Sequence, residues 1–182
     1  MNKLPSNFEI DRYGLHGRFV CEEDAEFILS LRTNPVLSKY LHAVDNDLEK
    51  QQQWIQSYKE REVRGEDYYF IFYSETTPIG LIRVCDIDYF KRIATVGSWC
   101  CTPNLPINFP IMVLVICREI MFEMIGVETD LFNVRLGNKK VLRVHKLMGA
   151  KITSNDECNY YLSLAKEDFE KNKTEIINLI NS

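Results

Sequence analysis

The sequence has no apolar run long enough to cross a bilayer. The best, Ile111 to Cys117, ends at Arg118 and Glu119, far short of the ~20 residues a spanning helix needs. It also lacks an excess of positive charge. With 22 Lys and Arg against 26 Asp and Glu, the formal net charge is −4, so the dense cationic surface that displaces counterions from nucleic acid is missing. No Cys-x-x-Cys pair occurs among the 6 cysteines, and their spacing gives no reason to expect a structural zinc or other metal. The stretch MNKLPSNFEIDRYG holds no apolar h-region, so no signal peptide is read there, and free thiols in a reducing cytoplasm are expected. Repeats, low-complexity tracts and Gly/Ser/Pro linkers are absent too. Residues 1–182 therefore read as one domain, within the usual ~100–200 residues.

What is present suffices to fill a core and coat it, with 46% hydrophobic and 26% charged residues. Arg18-Phe19-Val20 reads as a short strand. Glu22, Glu23 and Asp24 suit the positive end of a helix dipole, and Ala25, Ile28, Leu29 and Arg32 share one stripe at helical spacing. Asn34-Pro35 stops that helix near residue 33. A second helix is expected over residues 47–64, capped by Asn46 and ended by Gly65. Strands follow at 67–73, 78–88 and 94–101, with turns short enough to favour an antiparallel meander. After a loop with three prolines, Pro110 stands at the first turn of a buried helix, residues 111–125, that stops at Gly126. A strand at 129–134, a helix at 138–148, a hairpin of 151–153 with 159–164 and a charged amphipathic helix at 166–181 complete the order βααβββαβαββα. Such an order, antiparallel in its first half, is an α+β or mixed α/β fold. The last helix packs either on its own domain or on a second copy, so a homodimer is one expectation.

That order, together with the segment NVRLGNKKVLRVHKLMGAKI, resembles the GCN5-related N-acetyltransferase superfamily. Val134, Asn138 and Gly149 stand at that family's spacings for the fifth strand, the following helix and the entry to the sixth strand, with Ala150 in place of the usual aromatic. The stretches LRTNP, QQQW, PIG and VGSW are similar to the branch of ribosomal-protein N-terminal acetylases and bacterial amino-sugar acetylases. The similarity runs from about Phe19 to Ala165. It implies an acyl-CoA N-acyltransferase fold whose mostly antiparallel sheet splays between the fourth and fifth strands. Unpaired edges there would take the pantetheine of acetyl-CoA, the co-substrate, like an added strand. Gly97 to Cys101 would lie along that arm, Trp99, Cys100 and Cys101 binding it and Ser98 counted among the catalytic residues, with a fourth-strand amide polarising the thioester, an effect typically worth ~3–4 kcal/mol.

One motif departs from the family. Its pyrophosphate loop, Arg/Gln-x-x-Gly-x-Gly/Ala, falls at about Pro106, Phe109 and Ile111, where both glycines are missing, and no Lys or Arg stands between Thr102 and Cys117. Bulky side chains obstruct the approach of backbone to phosphate. Pro110 removes one amide, leaving those of Ile107, Asn108 and Phe109 at a helix N-terminus. Either the coenzyme is held with weaker phosphate contacts or it is no longer bound. The cofactor set carried over by the resemblance ends with Asn138. Lys139, Lys140 and Arg143 reach the adenosine 3′-phosphate or form a solvated helix face.

His145 stands seven residues after Asn138, where family members often place the Tyr that protonates the leaving thiolate. An imidazolium with a pKa near ~6.5 can do the same; the alternative is a helix-face histidine bonded to a backbone carbonyl. Asp86 and Asp88, on one face by strand alternation, are candidate bases acting through water, or solubility residues at a strand end. Trp54, Tyr68 and Trp99 wall a sugar or peptide site or belong to the core, as Tyr69 and Phe70 do. His42, in the loop between the first two helices, is an acceptor-site candidate. The expected reaction is direct transfer from acetyl-CoA to the primary amine of a small molecule such as a nucleotide-linked amino sugar. A protein N-terminus as acceptor and a non-catalytic interaction module are the alternatives; neither nucleic acid nor membrane is expected as a partner.

Overall fold

A computed structural model of the chain describes residues 1–41 and 43–181, so His42 lies outside the described residues. Eight strands form one sheet in the order β1-β2-β3-β4-β5-β6-β8-β7. A hairpin of β1 (Glu9–Arg12) and β2 (Leu15–Phe19) opens it, turned by Tyr13 and Gly14 at φ 53° and 75°. The first strand escapes the sequence reading because its residues are only exposed or half-buried, so no apolar period marks it.

A short 3-10 turn at Glu22–Asp24 leads into α1 (Ala25–Arg32), and α2 (Leu48–Arg64) follows. The cap of α2 is Asp47 rather than Asn46: its carboxylate accepts the Lys50 N–H at 3.1 Å. Gly65 ends the helix at φ 77°, where a Cβ would come within 2.8 Å of the Tyr89 hydroxyl oxygen. Next comes the antiparallel meander of β3 (Tyr68–Ser74), β4 (Thr77–Asp88) and β5 (Ile93–Cys101).

Helix α3 (Asn108–Glu119) runs on to Ile125 in wider π geometry and stops at Gly126, φ 87°. Then β6 (Thr129–Arg135), α4 (Lys139–Leu147), the hairpin β7 (Lys151–Asn155) and β8 (Asn159–Ala165), and α5 (Lys166–Asn181) complete the fold.

Side chains leave β3 alternately to two cores. Tyr68, Phe70 and Phe72 pack with α3, while Tyr69 and Ile71 pack with α1 and α2. Burial on both faces explains the uninterrupted apolar run of this strand. Residues 112–117 of α3 are buried on every side, and Phe169 and Ile176 of α5 join that core beside Phe122. The last helix thus packs on its own domain. Among the described residues no helix is long and apolar enough to cross a membrane.

One pair of strands breaks the antiparallel pattern. β5 and β6 run parallel and pair at two positions only, Ile93 with Thr129 and Ala94 with Asp130. With the extra strand β1 counted, these are the fourth and fifth strands between which a splay is expected.

Candidate functional site

The parting of β5 and β6 opens a cleft of about 900 Å³. A side chain takes the place of backbone at its apex. Where the next strand bond would form, the Val96 N–H donates to Asp130 Oδ1 at 3.0 Å, and the Thr95 hydroxyl donates to the Leu131 carbonyl at 2.8 Å. Asp130 and Arg118 are both fully buried, with Arg118 Nε and Nη2 at 3.2 and 2.9 Å from Oδ2. Burial pushes the Asp130 carboxyl up, while Arg118 and the Val96 amide pull it down. Past this wedge, residues 97–101 and 132–135 face each other across the cleft. Their edges are open to an extended ligand.

The near wall is bent by a bulge. Leu81 faces Cys100 and Arg83 faces Gly97, so Ser98 and Trp99 together oppose Ile82, and Ser98 adopts φ 51°. Bulges of this kind re-aim a strand's groups. Ser98, Trp99, Cys100, Cys101, Ile107 and Asn138 all line the cleft. Trp99 is fixed by its indole N–H, which donates to the Pro110 carbonyl at 3.1 Å. Asn138 caps α4, accepting the Val141 N–H at 3.4 Å. Cys100 packs toward α1 and α2, and Cys101 toward α3. Burial raises their thiols to about 11 and about 12, so neither is a thiolate at neutral pH.

Three expected cofactor residues do not line the cleft: Asn108, Phe109 and Ile111. Because α3 starts at Asn108, its first turn directs Phe109 and Ile111 against the core. The Phe109 amide is already bonded to the Pro106 carbonyl at 3.1 Å. Ile107 and Asn108 keep amides at the helix N-terminus, and Arg135 and Lys140 add cations to the cleft wall. Open strand edges beside such a terminus fit a thin arm with phosphates at its outer end, glycines or not.

His145 lies in the cleft wall beside Trp99 and Phe132, with ring centroids 5.9 and 4.5 Å away. Arg118 Nη2 stands 3.1 Å from its Nδ1. A guanidinium has donors only, so Nδ1 holds the lone pair and Nε2 the proton, an assignment made from the partner. Burial first, and then Arg118, holds the imidazole well below its ordinary 6.5. The imidazolium acid expected from the sequence is therefore not the form present at neutral pH. Nor is the partner a backbone carbonyl.

Asp86, Asp88 and Tyr68 lie outside the cleft. A bulge between Cys85 and Asp88 breaks the alternation that would put both aspartates on one face. Asp86 sits exposed at φ 53°, and Asp88 accepts the Phe90 and Lys91 amides of the next turn at 3.0 and 2.9 Å. Tyr68 is a core residue, fully buried, its ring stacked on Phe19 and its hydroxyl accepting the Leu4 amide.

Trp54 does line the cleft. Tyr58 stacks on it at 5.7 Å, and the guanidinium carbons of Arg61 and Arg83 lie 5.6 and 5.4 Å from its ring centre. Both arginines bind the buried carboxylate of Asp67. Arg32, Tyr40, Tyr69 and Arg83 complete this end of the cleft; the sequence assigns none of them to a site, putting Arg32 on a helix stripe and Tyr69 in the core. The Tyr40 hydroxyl donates to the Gly137 carbonyl at 3.0 Å, tying the α1–α2 connection to the turn before α4. The signal that the sequence offers for this end is Arg32, a cation on an otherwise apolar stripe. Among the described residues lining the cleft there are four cations, Arg32, Arg83, Arg135 and Lys140, and no carboxylate.

Known proteins share both the sequence family and the fold of this chain. A family model described as an acetyltransferase (GNAT) domain matches residues 17–151. An apo structure described as FdhC, a nucleotide-linked sugar GNAT, is 34% identical with a TM-score of 0.83, over 93% of this chain and 96% of that one. Two more distant structures share the fold. Ribosomal-protein-S5-alanine acetyltransferase from Vibrio fischeri is 14% identical with a TM-score of 0.77, over 90% of this chain and 99% of that one. Spermidine N-acetyltransferase from Vibrio cholerae, in complex with CoA and spermine, is 14% identical with a TM-score of 0.75, over 87% and 99%. No curated protein matches the sequence.

Proposed function

The chain belongs to the GCN5-related N-acetyltransferase family, which uses acetyl-CoA as co-substrate, and from that premise we propose that its acceptor is a nucleotide-linked amino sugar. The observation that carries this reading is the charge of the cleft, cationic and without a carboxylate among the described lining residues. A polyamine would meet repulsion there, whereas a diphosphate linker would meet charge-assisted donors. The amine itself points the same way. With no carboxylate to take its proton, it must arrive largely neutral. At pH 7 an amine of pKa near 8 is about one-tenth unprotonated, against roughly one in 2,500 at pKa 10.4. Sugar amines, whose neighbouring oxygens withdraw electrons, and protein N-termini belong to the first class. The 34% identity to a nucleotide-linked sugar GNAT favours the sugar. A non-catalytic module is set aside with the family assignment.

The coenzyme supplies the thioester. The edges of β5 and β6 would hold its arm, and the Ile107 and Asn108 amides with Arg135 and Lys140 would hold its phosphates. Backbone donors at the Ser98–Trp99 bulge serve the carbonyl oxygen as it gains charge. The amine proton goes to water, because the lone pair of His145 faces Arg118. Neutral His145 donates a hydrogen bond from Nε2 to the departing sulfur and keeps its proton.

The test compares nucleotide-linked amino sugars, free amino sugars and N-terminal peptides as acceptors, following thiol release. The nucleotide-linked class should exceed peptides at least tenfold in kcat/KM; a preference for peptides would reverse the assignment.

A further inference from the structure

Beneath Trp54 the cleft wall holds a buried hydroxyl, that of Tyr69, whose proton finds no acceptor among the described residues. The hydroxyl does not hold this side chain in place. Tyr69 sits mid-strand in β3, its N–H donating to the Tyr58 hydroxyl at 2.8 Å, its ring edge-on to Trp54 at 5.9 Å. Burial raises the phenol to about 12, while the charges of Arg32 and Arg83 and a hydrogen bond from Arg32 to its oxygen pull it back. Both are donor-only side chains, so the phenolic proton faces no acceptor. A buried donor in that position carries a desolvation penalty that none of the described residues relieves. Arg83 gives Nε and Nη2 to Asp67, which also binds Arg61. One carboxylate thus serves two guanidinium groups, and the local charge stays positive.

We propose that Tyr69, Arg32 and Arg83 form an anion subsite for the diphosphate of the acceptor, with Trp54 as the wall against which the nucleoside packs. An oxyanion accepts the phenolic proton and pairs with the guanidinium groups at once, which no neutral ligand does. Trp54 is 36% exposed and already braced by Tyr58, so it offers a rigid aromatic surface at small entropic cost. The inference rests on the nucleotide-linked reading above and adds which residues recognise the nucleotide. The coenzyme is the other source of phosphate, and its phosphates are assigned to the N-terminal end of α3.

Calorimetry on the CoA-saturated protein with ADP, CDP, GDP, UDP and dTDP in turn tests the subsite. The tightest of these should bind roughly tenfold more weakly to Tyr69→Phe, the scale of one charge-assisted hydrogen bond. The affinity for CoA should stay as it is. The Tm of the unliganded variant should equal or exceed that of the native protein, because an unsatisfied hydroxyl has gone. Trp54→Ala should raise KM for a nucleotide-linked acceptor by more than it raises KM for the free amino sugar. Equal diphosphate affinity in the native protein and Tyr69→Phe overturns the subsite, as does the lack of measurable diphosphate binding by the native protein. A loss of CoA affinity in Tyr69→Phe overturns it too, since the anion site would then belong to the coenzyme. If the native enzyme acetylates nucleotide-linked amines and both variants keep its KM, the subsite alone falls. If it acetylates none of them, the acceptor reading falls first and the subsite with it.

Discussion

His145 shows how a residue's position and its state come from different sources. Its position is legible in the sequence as a count from Asn138. Its state is not, because it comes from burial in the folded protein and then from Arg118, 27 residues away in sequence. The folded pKa lies below the ordinary 6.5, so the unfolded chain binds the extra proton. The stability gained from a neutral buried imidazole is full above about pH 6.5 and is lost as pH falls from there toward the folded value. The unfolding free energy should therefore drop below pH 6.5 by up to about 1.4 kcal/mol per pH unit from this group. Urea midpoints at pH 7.5, 6.5 and 5.5 should show that increment in the native protein and not in His145→Phe. Parallel curves would mean that the folded imidazole titrates normally. In turnover, His145→Phe should cost about 10- to 100-fold in kcat by removing a donor to the developing charge. His145→Gln, which restores an N–H near Nε2, should recover most of it.

The wedge between β5 and β6 belongs to the scale of elements. The strands on either side read to within a residue or so from their alternation and turns, whereas the helix that carries Arg118 starts three residues before its expected first position, at Asn108 rather than 111, and ends where Gly126 predicts. The separation itself does not read. It depends on Asp130 taking the Val96 amide, and an aspartate in a strand gives no sign of which backbone it will meet. The two bulges were equally hidden, since Ser98 and Asp86 adopt positive φ without being glycine, so no turn residue announces the break in period. For that reason simple alternation puts Asp86 and Asp88 on one face, and the bulge parts them. The wedge makes a large energetic claim. Asp130→Asn keeps an acceptor for Val96 but strips the counter-ion from a guanidinium that is 0% exposed. Removing one partner of a buried ion pair costs about 3–5 kcal/mol, and chemical denaturation should show a loss of that size. A change below about 1 kcal/mol would mean that Arg118 is solvated or paired elsewhere.

The molecule as a whole is acidic, at −4, yet its cleft is cationic. Net charge argues about partners that meet the whole surface, whereas a substrate meets only the field inside the walls. Arg32, Arg83, Arg135 and Lys140 come from four separate elements or their ends, and only the fold gathers them. The same gathering leaves the cleft without a base among its described lining residues, which has a kinetic consequence. If the enzyme does not deprotonate the amine, kcat/KM follows the amine's own ionisation rather than a group on the protein. With an acceptor amine of pKa near 8, the profile should rise with its midpoint at about pH 8 and level off above it. With an alkyl amine of pKa about 10.4 on the same nucleotide scaffold, the rise should move up by roughly two pH units. Profiles of the two acceptors measured side by side on one enzyme preparation decide the matter. A rise that stays at one pH whatever the amine would assign the proton to a protein group, and the cleft would then have to contain a base that its geometry does not offer.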